Sequence, residues 1–187
     1  MAPNAPAQQT HDELFPGYVS TLAVTDPELI DIFDNFAFDE VLAQSSLDVR
    51  SRLMVQLASM IASQALREYR AMAGAALTVG VTPVEINEIV YQAVPYVGMA
   101  KVYGFLHATN ELFAERGIAV PLAGQSTTTP ETRAQKGLAV QKEIVGEEGL
   151  QRLLHRRTSS TSIAFLTPTA SATTFHARAW ISQRASC

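Results

Sequence analysis

The sequence predicts an all-α protein built around one main domain. Apolar residues recur every three to four positions, as on one face of a helix, and no stretch alternates as a half-buried strand would. Three helix starts also share one pattern, a capping side chain followed by proline at the first helical position. These starts are Thr25 or Asp26 before Pro27, Thr82 before Pro83, and Thr129 before Pro130. A chain of 187 residues is long enough for one such domain and an appended arm.

The predicted helices begin after residues 1–11, a leader rich in Pro, Ala and Gln that we expect to be disordered. The first helix covers TDPELIDIFDNFAFDEVLAQ, and its predicted apolar face consists of Leu29, Ile30, Phe33, Phe36 and Val41. The second covers LDVRSRLMVQLASMIASQAL and is apolar nearly all round, so it is placed in the core, with Asp48 as its cap. The third, LREYRAMAGAALTVG, carries small residues at 73–76 that permit close approach of another helix, and it ends at Gly80.

The second half of the domain begins at Thr82, where Glu85 completes a capping box. The helix continues through YQAVPYVGMAKVYGFLHATNELFAERG, bent or broken near Pro95 and Gly98 and closed at Gly117. IAVPLAGQSTTT is a predicted loop, and TPETRAQKGLAVQKEIVG is one more helix. Six to seven helices are therefore expected.

Composition excludes several classes of function. The net charge of −4 gives no reason to expect nucleic-acid binding. The only cysteine, Cys187, excludes a disulfide framework, a CxxC redox pair and a cysteine-rich zinc site within one chain, and we expect no metal. No apolar run approaches the roughly 18 residues of a membrane helix, and the N-terminus lacks the charged and apolar regions of a secretory signal. We therefore expect a cytoplasmic protein that does not bind membranes.

Three motifs carry a resemblance to a known family. LDVRSRLMVQLASMIAS, AALTVGVTPVEINEIV and AVPYVG, in that order, resemble the carboxymuconolactone decarboxylase family over about residues 45–117. That family shares its helical fold with the alkylhydroperoxidase D-like proteins, so the resemblance implies this fold for residues 12–122. GIAVPLAGQSTTTPETRAQKGLAVQKEIVGE is similar to the linker of members with two domains in tandem. Residues 123–149 are accordingly interpreted as a linker and the start of a second-domain helix.

The resemblance also limits the chemistry. In peroxidase-like members, two cysteines three positions apart and a histidine four further on share one helix face, and a glutamate follows an arginine one helix earlier. The matching positions here are Ala65, Glu68 and Met72, with Leu53 after Arg52. Because a thiol peroxidase needs a reactive thiolate beside a second cysteine, the resemblance implies no such activity. Decarboxylase members, which act in aromatic compound degradation without a cofactor, usually keep the histidine that Met72 replaces.

Residues 150–187 form a predicted irregular basic arm. All 18 acidic residues precede it, and from Thr158 onward 12 of 30 residues are Ser or Thr. One interpretation is a flexible tail for an acidic surface or phosphate; the composition is also that of a transit peptide, although those are N-terminal. A third interpretation is a frameshift near residues 149–157. Codons can be chosen for TASATTFHARAWISQRASC that, when they are translated one base out of phase, encode DANGFGDNFPRAGLDLA. In tandem members, a similar string comes directly after the first helix of the second domain.

Two residues are the candidates for catalysis. Glu68 falls on the helix face of the family's reactive groups, and burial would suit it to general acid or base chemistry. Its alternative is a solvated charge between Arg67 and Arg70. His107 is the imidazole inside the helical body and replaces the missing family histidine if its helix lines the same pocket; otherwise it is an ordinary surface or hydrogen-bonded residue.

The candidate substrate-binding residues are polar groups on the second helix and around the bend of the fourth. They are Arg50, Arg52, Glu88, Tyr91, Gln92 and Tyr96. An arginine binds a carboxylate with two parallel hydrogen bonds, but a structural ion pair of Arg50 or Arg52 with Glu88 or Asp48 is the alternative. The tyrosines are either orienting groups for a small acid or part of an oligomer interface.

Two functional hypotheses result. The first is a cofactor-free acid/base lyase, a decarboxylase acting on a small carboxylated lactone or related ring, with Arg50 or Arg52 holding the carboxylate and Glu68 or His107 moving the proton. The second is a non-catalytic, truncated or degenerate helical oligomer of the same family. In either case the Ala- and Gly-rich third helix and the apolar second helix predict self-association, and the family suggests a trimer or hexamer.

Overall fold

The computed structural model describes residues 3–155, and every regular element in that range is helical, so the all-α prediction is confirmed. The helices are α1 (Ala5–Leu14), α2 (Leu22–Thr25), α3 (Pro27–Asn35), α4 (Val41–Ala43), α5 (Val49–Ser63), α6 (Leu66–Thr78), α7 (Pro83–Val97), α8 (Met99–Glu115) and α9 (Arg133–His155). A π-helical turn, Phe36–Glu40, joins α3 to α4.

Four helices, α5 to α8, form the central bundle. Helix α5 packs against α6 and α7, and α8 packs against the same two helices. The bundle interior is apolar and fully buried at Leu53, Leu57, Ile61, Tyr69, Ala73, Ile86, Val90, Val102 and Phe113. Removal of this apolar surface from water is the main force that holds the bundle together.

The predicted helix ends of the bundle are largely confirmed. The Asp48 carboxylate accepts from the Ser51 backbone N–H at 3.0 Å and so caps α5. The capping box of α7 is complete, because the Thr82 hydroxyl accepts from the Glu85 N–H at 3.2 Å and the Glu85 carboxylate accepts from the Thr82 N–H at 2.7 Å. Pro95 lies inside α7 without ending it, and the chain turns instead at Gly98, with φ of 89°. Such a φ is cheap for glycine, since it has no Cβ to clash.

One polar pair is buried between α6 and α8. The Tyr69 hydroxyl lies 2.7 Å from the Thr109 hydroxyl oxygen, which itself donates to the Phe105 carbonyl at 2.7 Å. The only hydroxyl hydrogen of Thr109 is thereby used, so Tyr69 is the donor within the pair. Burial raises the pKa of Tyr69 to about 12, although the hydrogen bond to Thr109 opposes that rise. This pair joins α6 to α8 inside the bundle.

The N-terminal segment differs from the prediction. Residues 1–11 were expected to be a disordered leader, but α1 occupies residues 5–14, with Ala7 fully buried and Leu14 nearly so. Asn4 explains the order: its side chain accepts from the Ala7 N–H at 2.8 Å and donates to Asp39 at 2.8 Å, while its backbone N–H donates to Asn35 at 2.7 Å. A cap and two long-range hydrogen bonds thus anchor α1 to α3 and the π-helical turn.

The first predicted helix is present, but its predicted apolar face is wrong. Ile30 is half-buried, whereas Leu29, Phe33, Phe36 and Val41 are exposed. The π-helical turn instead contains the aromatic residue that packs inward, since Phe38 is half-buried with its ring 6.2 Å from that of Phe15. Neither proposed cap forms, since the Thr25 hydroxyl donates to the Asp26 carboxylate at 2.6 Å.

The C-terminal part of the described chain is more helical than expected. Helix α9 begins at Arg133 rather than Pro130, kinks at Gly146 and continues to His155, past the predicted start of the irregular arm at residue 150. Leu150, just after the kink, is buried, which gives this second segment an apolar anchor. Residues 156–187, which contain most of the predicted arm and the string compatible with a frameshift, lie outside the described residues. Within 3–155, none of the helices combines the length and hydropathy that a bilayer crossing requires.

Candidate functional site

A cleft of about 960 Å³ separates the N-terminal helices from the bundle. One wall consists of α1, α3 and the chain between them, and the other of α5, α6 and the C-terminal end of α8. Charged and imidazole side chains from both walls line it, namely His11, Asp31, Asp34, Arg52, Arg67, Glu68, Arg70 and Arg116. The remaining lining is mostly apolar or aromatic, so the cleft suits a small molecule with an apolar ring and a charged group.

Helix α5 contributes a row of three side chains at intervals of four residues, Arg52, Gln56 and Met60. Arg52 is half-buried, and burial lowers its pKa, an effect that the nearby Asp48 carboxylate partly offsets. In the described chain Arg52 forms no ion pair. The Oε1 atom of Gln56 is buried and accepts no hydrogen bond from the described residues. Buried polar groups normally have partners, so the Gln56 amide oxygen is an unsatisfied acceptor inside the cleft wall.

Helix α6 contributes Glu68 and Met72, one turn apart, to the opposite part of the same wall. Glu68 is exposed to the cleft and to solvent. Its neighbour Arg70 is occupied, because its guanidinium bonds Glu111 at 2.9 Å and also Glu115. Two predicted site residues, Arg52 and Glu68, therefore share one cleft.

Arg50, the other predicted carboxylate-binding arginine, lies elsewhere. Its guanidinium donates to both carboxylate oxygens of Glu85, at 3.0 and 2.8 Å. Burial alone would raise the pKa of Glu85, but hydrogen bonds from Thr82 and the charge of Arg50 outweigh it and lower the pKa. Arg50 thus ties α5 to the start of α7. The alternative of a structural ion pair describes this residue, although with Glu85 rather than with the predicted partners Glu88 or Asp48.

The predicted binding residues of α7 line a different side of the molecule. Tyr91 and Tyr96 are exposed at 47% and 76%, and Glu88 and Gln92 are half-buried. The Tyr91 hydroxyl accepts a long hydrogen bond, 3.4 Å, from Asn87. None of the four lines the cleft that contains Arg52 and Glu68, so a role for them in binding stays a prediction.

His107 does not replace the family histidine in the cleft. It is exposed on α8, where its ring lies edge-on to Tyr103 at 4.7 Å between centroids. His107 was a candidate only if its helix lined the pocket at this position, and His107 is not among the residues that line the cleft.

The titratable cleft residues that sequence reasoning missed include His11, Asp31 and Asp34. His11 was assigned to the disordered leader, although Ala7, His11 and Leu14 have helical spacing behind an Asn4 cap. That cap and spacing were the available signal. Burial raises the pKa of Asp34; the charge of His11 opposes the rise and that of Asp31 adds to it.

Comparison with known protein families identifies the domain. Residues 27–111 match the model of the carboxymuconolactone decarboxylase family. These residues form a carboxymuconolactone decarboxylase family domain. The match includes α3 to α7 and most of α8, and α1 precedes it. Comparison with curated proteins and with solved structures gives no match.

In this carboxymuconolactone decarboxylase domain, only some of the positions that carry the chemistry in peroxidase-like members line the cleft. Met72 lines the cleft, whereas Leu53 is fully buried in the bundle and Ala65 is a half-buried residue at the start of α6. Residues 3–155 also contain no group of three His, Cys, Asp or Glu side chains suited to a metal ion. The groups that line the cleft include guanidinium groups, which can bind an anion, and carboxylates, the imidazole of His11 and the phenol of Tyr18, which can move a proton.

Proposed function

We propose that the cleft is the site of a cofactor-free acid/base lyase that acts on a small carboxylated lactone or a related ring compound. The observation that carries the proposal is the state of Arg52. Its guanidinium is half-buried in the cleft wall and has no ion-pair partner within residues 3–155. The Asp48 carboxylate only partly offsets the cost of this burial, so a partly desolvated cation that makes no direct ion pair gains from a bound anion. A carboxylate fits the guanidinium with two parallel hydrogen bonds.

The rest of the lining suits the ring of such a substrate. Met60, Met72, Phe15 and Phe38 supply apolar contacts, and the pliable methionine side chains adapt to the shape of a ring. Gln56, one turn from Arg52, supplies an amide whose buried oxygen has no donor in the described chain.

The proposed reaction needs a group that binds and orients the substrate carboxylate and a group that exchanges a proton. Arg52 binds a substrate carboxylate and orients the ring. The bond from the ring to the departing carboxylate then breaks, CO₂ leaves, and the electron pair remains on the ring as a dienolate, which a proton transferred at carbon converts to product. Glu68 lies in the same cleft and is the predicted residue positioned to exchange that proton with solvent. No electron acceptor enters the balance, so no redox cofactor is required.

The test is release of CO₂ from carboxymuconolactone and from a panel of carboxylated butenolides, measured with the purified chain. Arg52→Gln is expected to lower kcat/KM about 10- to 100-fold, the cost of losing a charge-assisted hydrogen-bond pair. Glu68→Gln is expected to lower kcat with less effect on KM. Matched controls are Arg133→Gln and Glu148→Gln on α9, which alter the same residue types outside the cleft.

Turnover that is equal in Arg52→Gln and Arg133→Gln would defeat the assignment of Arg52. No CO₂ release from any member of the panel would defeat the lyase.

A second candidate function, a non-catalytic oligomer, is favoured by the surface of α7 and α8. Tyr91, Tyr96, Met99 and Tyr103 are between 47% and 76% exposed along these two helices, and large exposed apolar groups of this kind typically mark an interface between subunits. We propose that this surface mediates self-association. Light scattering is expected to give a trimer or hexamer, and Tyr96→Glu is expected to lower the measured mass, whereas a monomeric wild type would remove this proposal.

A further inference from the structure

The N-terminal helix places an imidazole in the cleft, although this helix precedes the family domain. His11 lies in α1, and the family match begins at residue 27. The side chain of His11 is only 15% exposed, and its ring lies 5.4 to 6.4 Å, centroid to centroid, from Phe15, Tyr18 and Phe38. These three rings fix its position, and the hydrogen bonds of Asn4 fix the helix that carries it.

The hydrogen bonding of His11 leaves one ring nitrogen available. Nδ1 lies 3.4 Å from the Asp12 carboxylate, which favours the proton on that nitrogen in the neutral ring. Among the described residues, nothing forms a hydrogen bond with Nε2. An imidazole held on one side by a carboxylate and open on the other is the arrangement of a general acid or base.

Charged groups from both walls line the cleft that contains this imidazole. Asp12 lies on its own helix and Asp31 and Asp34 lie on α3, while the π-helical turn presents Ala37 and Phe38 to the cleft. The bundle presents Arg52 from α5, Arg67, Glu68 and Arg70 from α6, and Arg116 after α8. The cleft that His11 lines therefore contains side chains of both charge signs.

We propose that His11 is the group that exchanges a proton with the ligand in this cleft, in place of the histidine that Met72 replaces in the family domain. This inference rests on the proposed lyase function. In that reaction the electron pair left on the ring takes the proton from Nε2, and the neutral imidazole is then reprotonated by water. Glu68, which is more exposed, relays protons between the cleft and solvent.

The direct test is an NMR titration of the full chain with furan-2-carboxylate, a stable carboxylated five-membered ring. The Hε1 resonance of His11, assigned by its loss in His11→Asn, is expected to shift on addition of the probe. The resonance of His107, which is exposed outside the cleft, is expected to stay in place. A shift at His107 without one at His11 would overturn the inference, and so would no shift at either histidine.

Turnover provides the second readout. His11→Asn is expected to lower kcat roughly 100-fold or more while KM changes little, and to abolish the alkaline limb of the pH profile of kcat. Gln9→Ala is the matched control, because Gln9 lies on the exposed side of α1, where it donates to Glu13 at 3.0 Å. Equal CD spectra and unfolding midpoints exclude loss of α1 as the cause.

The two proposals fail in different ways. Normal turnover in His11→Asn would overturn the role of His11 and leave the lyase intact. Absence of turnover in the wild type would remove the lyase, and the response of His11 to furan-2-carboxylate would then decide whether a carboxylate binds beside it.

Discussion

The buried pair of Tyr69 and Thr109 gives the sharpest prediction for stability. Thr109→Val keeps the shape of the side chain but removes the acceptor of the Tyr69 hydroxyl, which is buried and has no other hydrogen-bond partner within residues 3–155. A buried donor left unsatisfied costs about 1–3 kcal/mol, whereas removal of both partners is nearly neutral. Thr109→Val should therefore destabilise the protein by about 1–3 kcal/mol and Tyr69→Phe by about 1 kcal/mol.

The double variant decides the case. If the two hydroxyl groups stabilise each other, Tyr69→Phe with Thr109→Val should cost less than the sum of the single changes, with a coupling of at least about 0.5 kcal/mol. Urea unfolding followed by far-UV CD measures all four proteins. The reasoning would be refuted if Thr109→Val had the same free energy of unfolding as the wild type, or if the double variant lost the full sum of the two single losses.

Two further predictions concern pH. The folded state lowers the pKa of Glu85, so the contribution of its carboxylate to stability is present above the ordinary value of 4.5 and is lost as the pH falls through the folded-state value. The urea unfolding midpoints of wild type and Glu85→Gln should therefore converge as the pH falls from about 6 to about 3. A constant difference between the two midpoints would contradict this. The folded state raises the pKa of Tyr69 from 10.0 to about 12, so its contribution is complete below pH 10 and is lost between pH 10 and 12. Tyr69→Phe should thus lose less stability than wild type over that interval, measured by thermal unfolding, and parallel loss in both would count against the shift.

The sequence predicted the bundle well because local chemistry determines its helix ends. Asp48, Thr82 and Glu85 form the predicted caps with neighbours at most three residues away. The prediction of secondary structure failed where contacts with residues distant in the sequence determine whether a segment is ordered. Asn4 orders α1 through Asn35 and Asp39, more than 30 residues away, and a Pro- and Ala-rich segment gives no local sign of such partners.

The candidate site was predicted in part for the same reason. Arg52 and Glu68 could be placed from the family resemblance because they lie on helices that the family shares, and both line the cleft. Arg50 was misassigned because its ion pair with Glu85 spans two helices, and spacing within one helix does not reveal the partner. His11 was missed because the wall that carries it precedes the family domain. Sequence periodicity identifies a helix face, but the partner of that face depends on packing.

The most direct test of the proposed site is the affinity of the cleft for a carboxylate. Isothermal titration calorimetry of furan-2-carboxylate should show binding to the wild type and to Arg133→Gln, with about 10- to 100-fold weaker binding to Arg52→Gln. That result would support Arg52 as the anion-binding group of the site. Equal affinity of all three proteins, or no binding to the wild type, would contradict it.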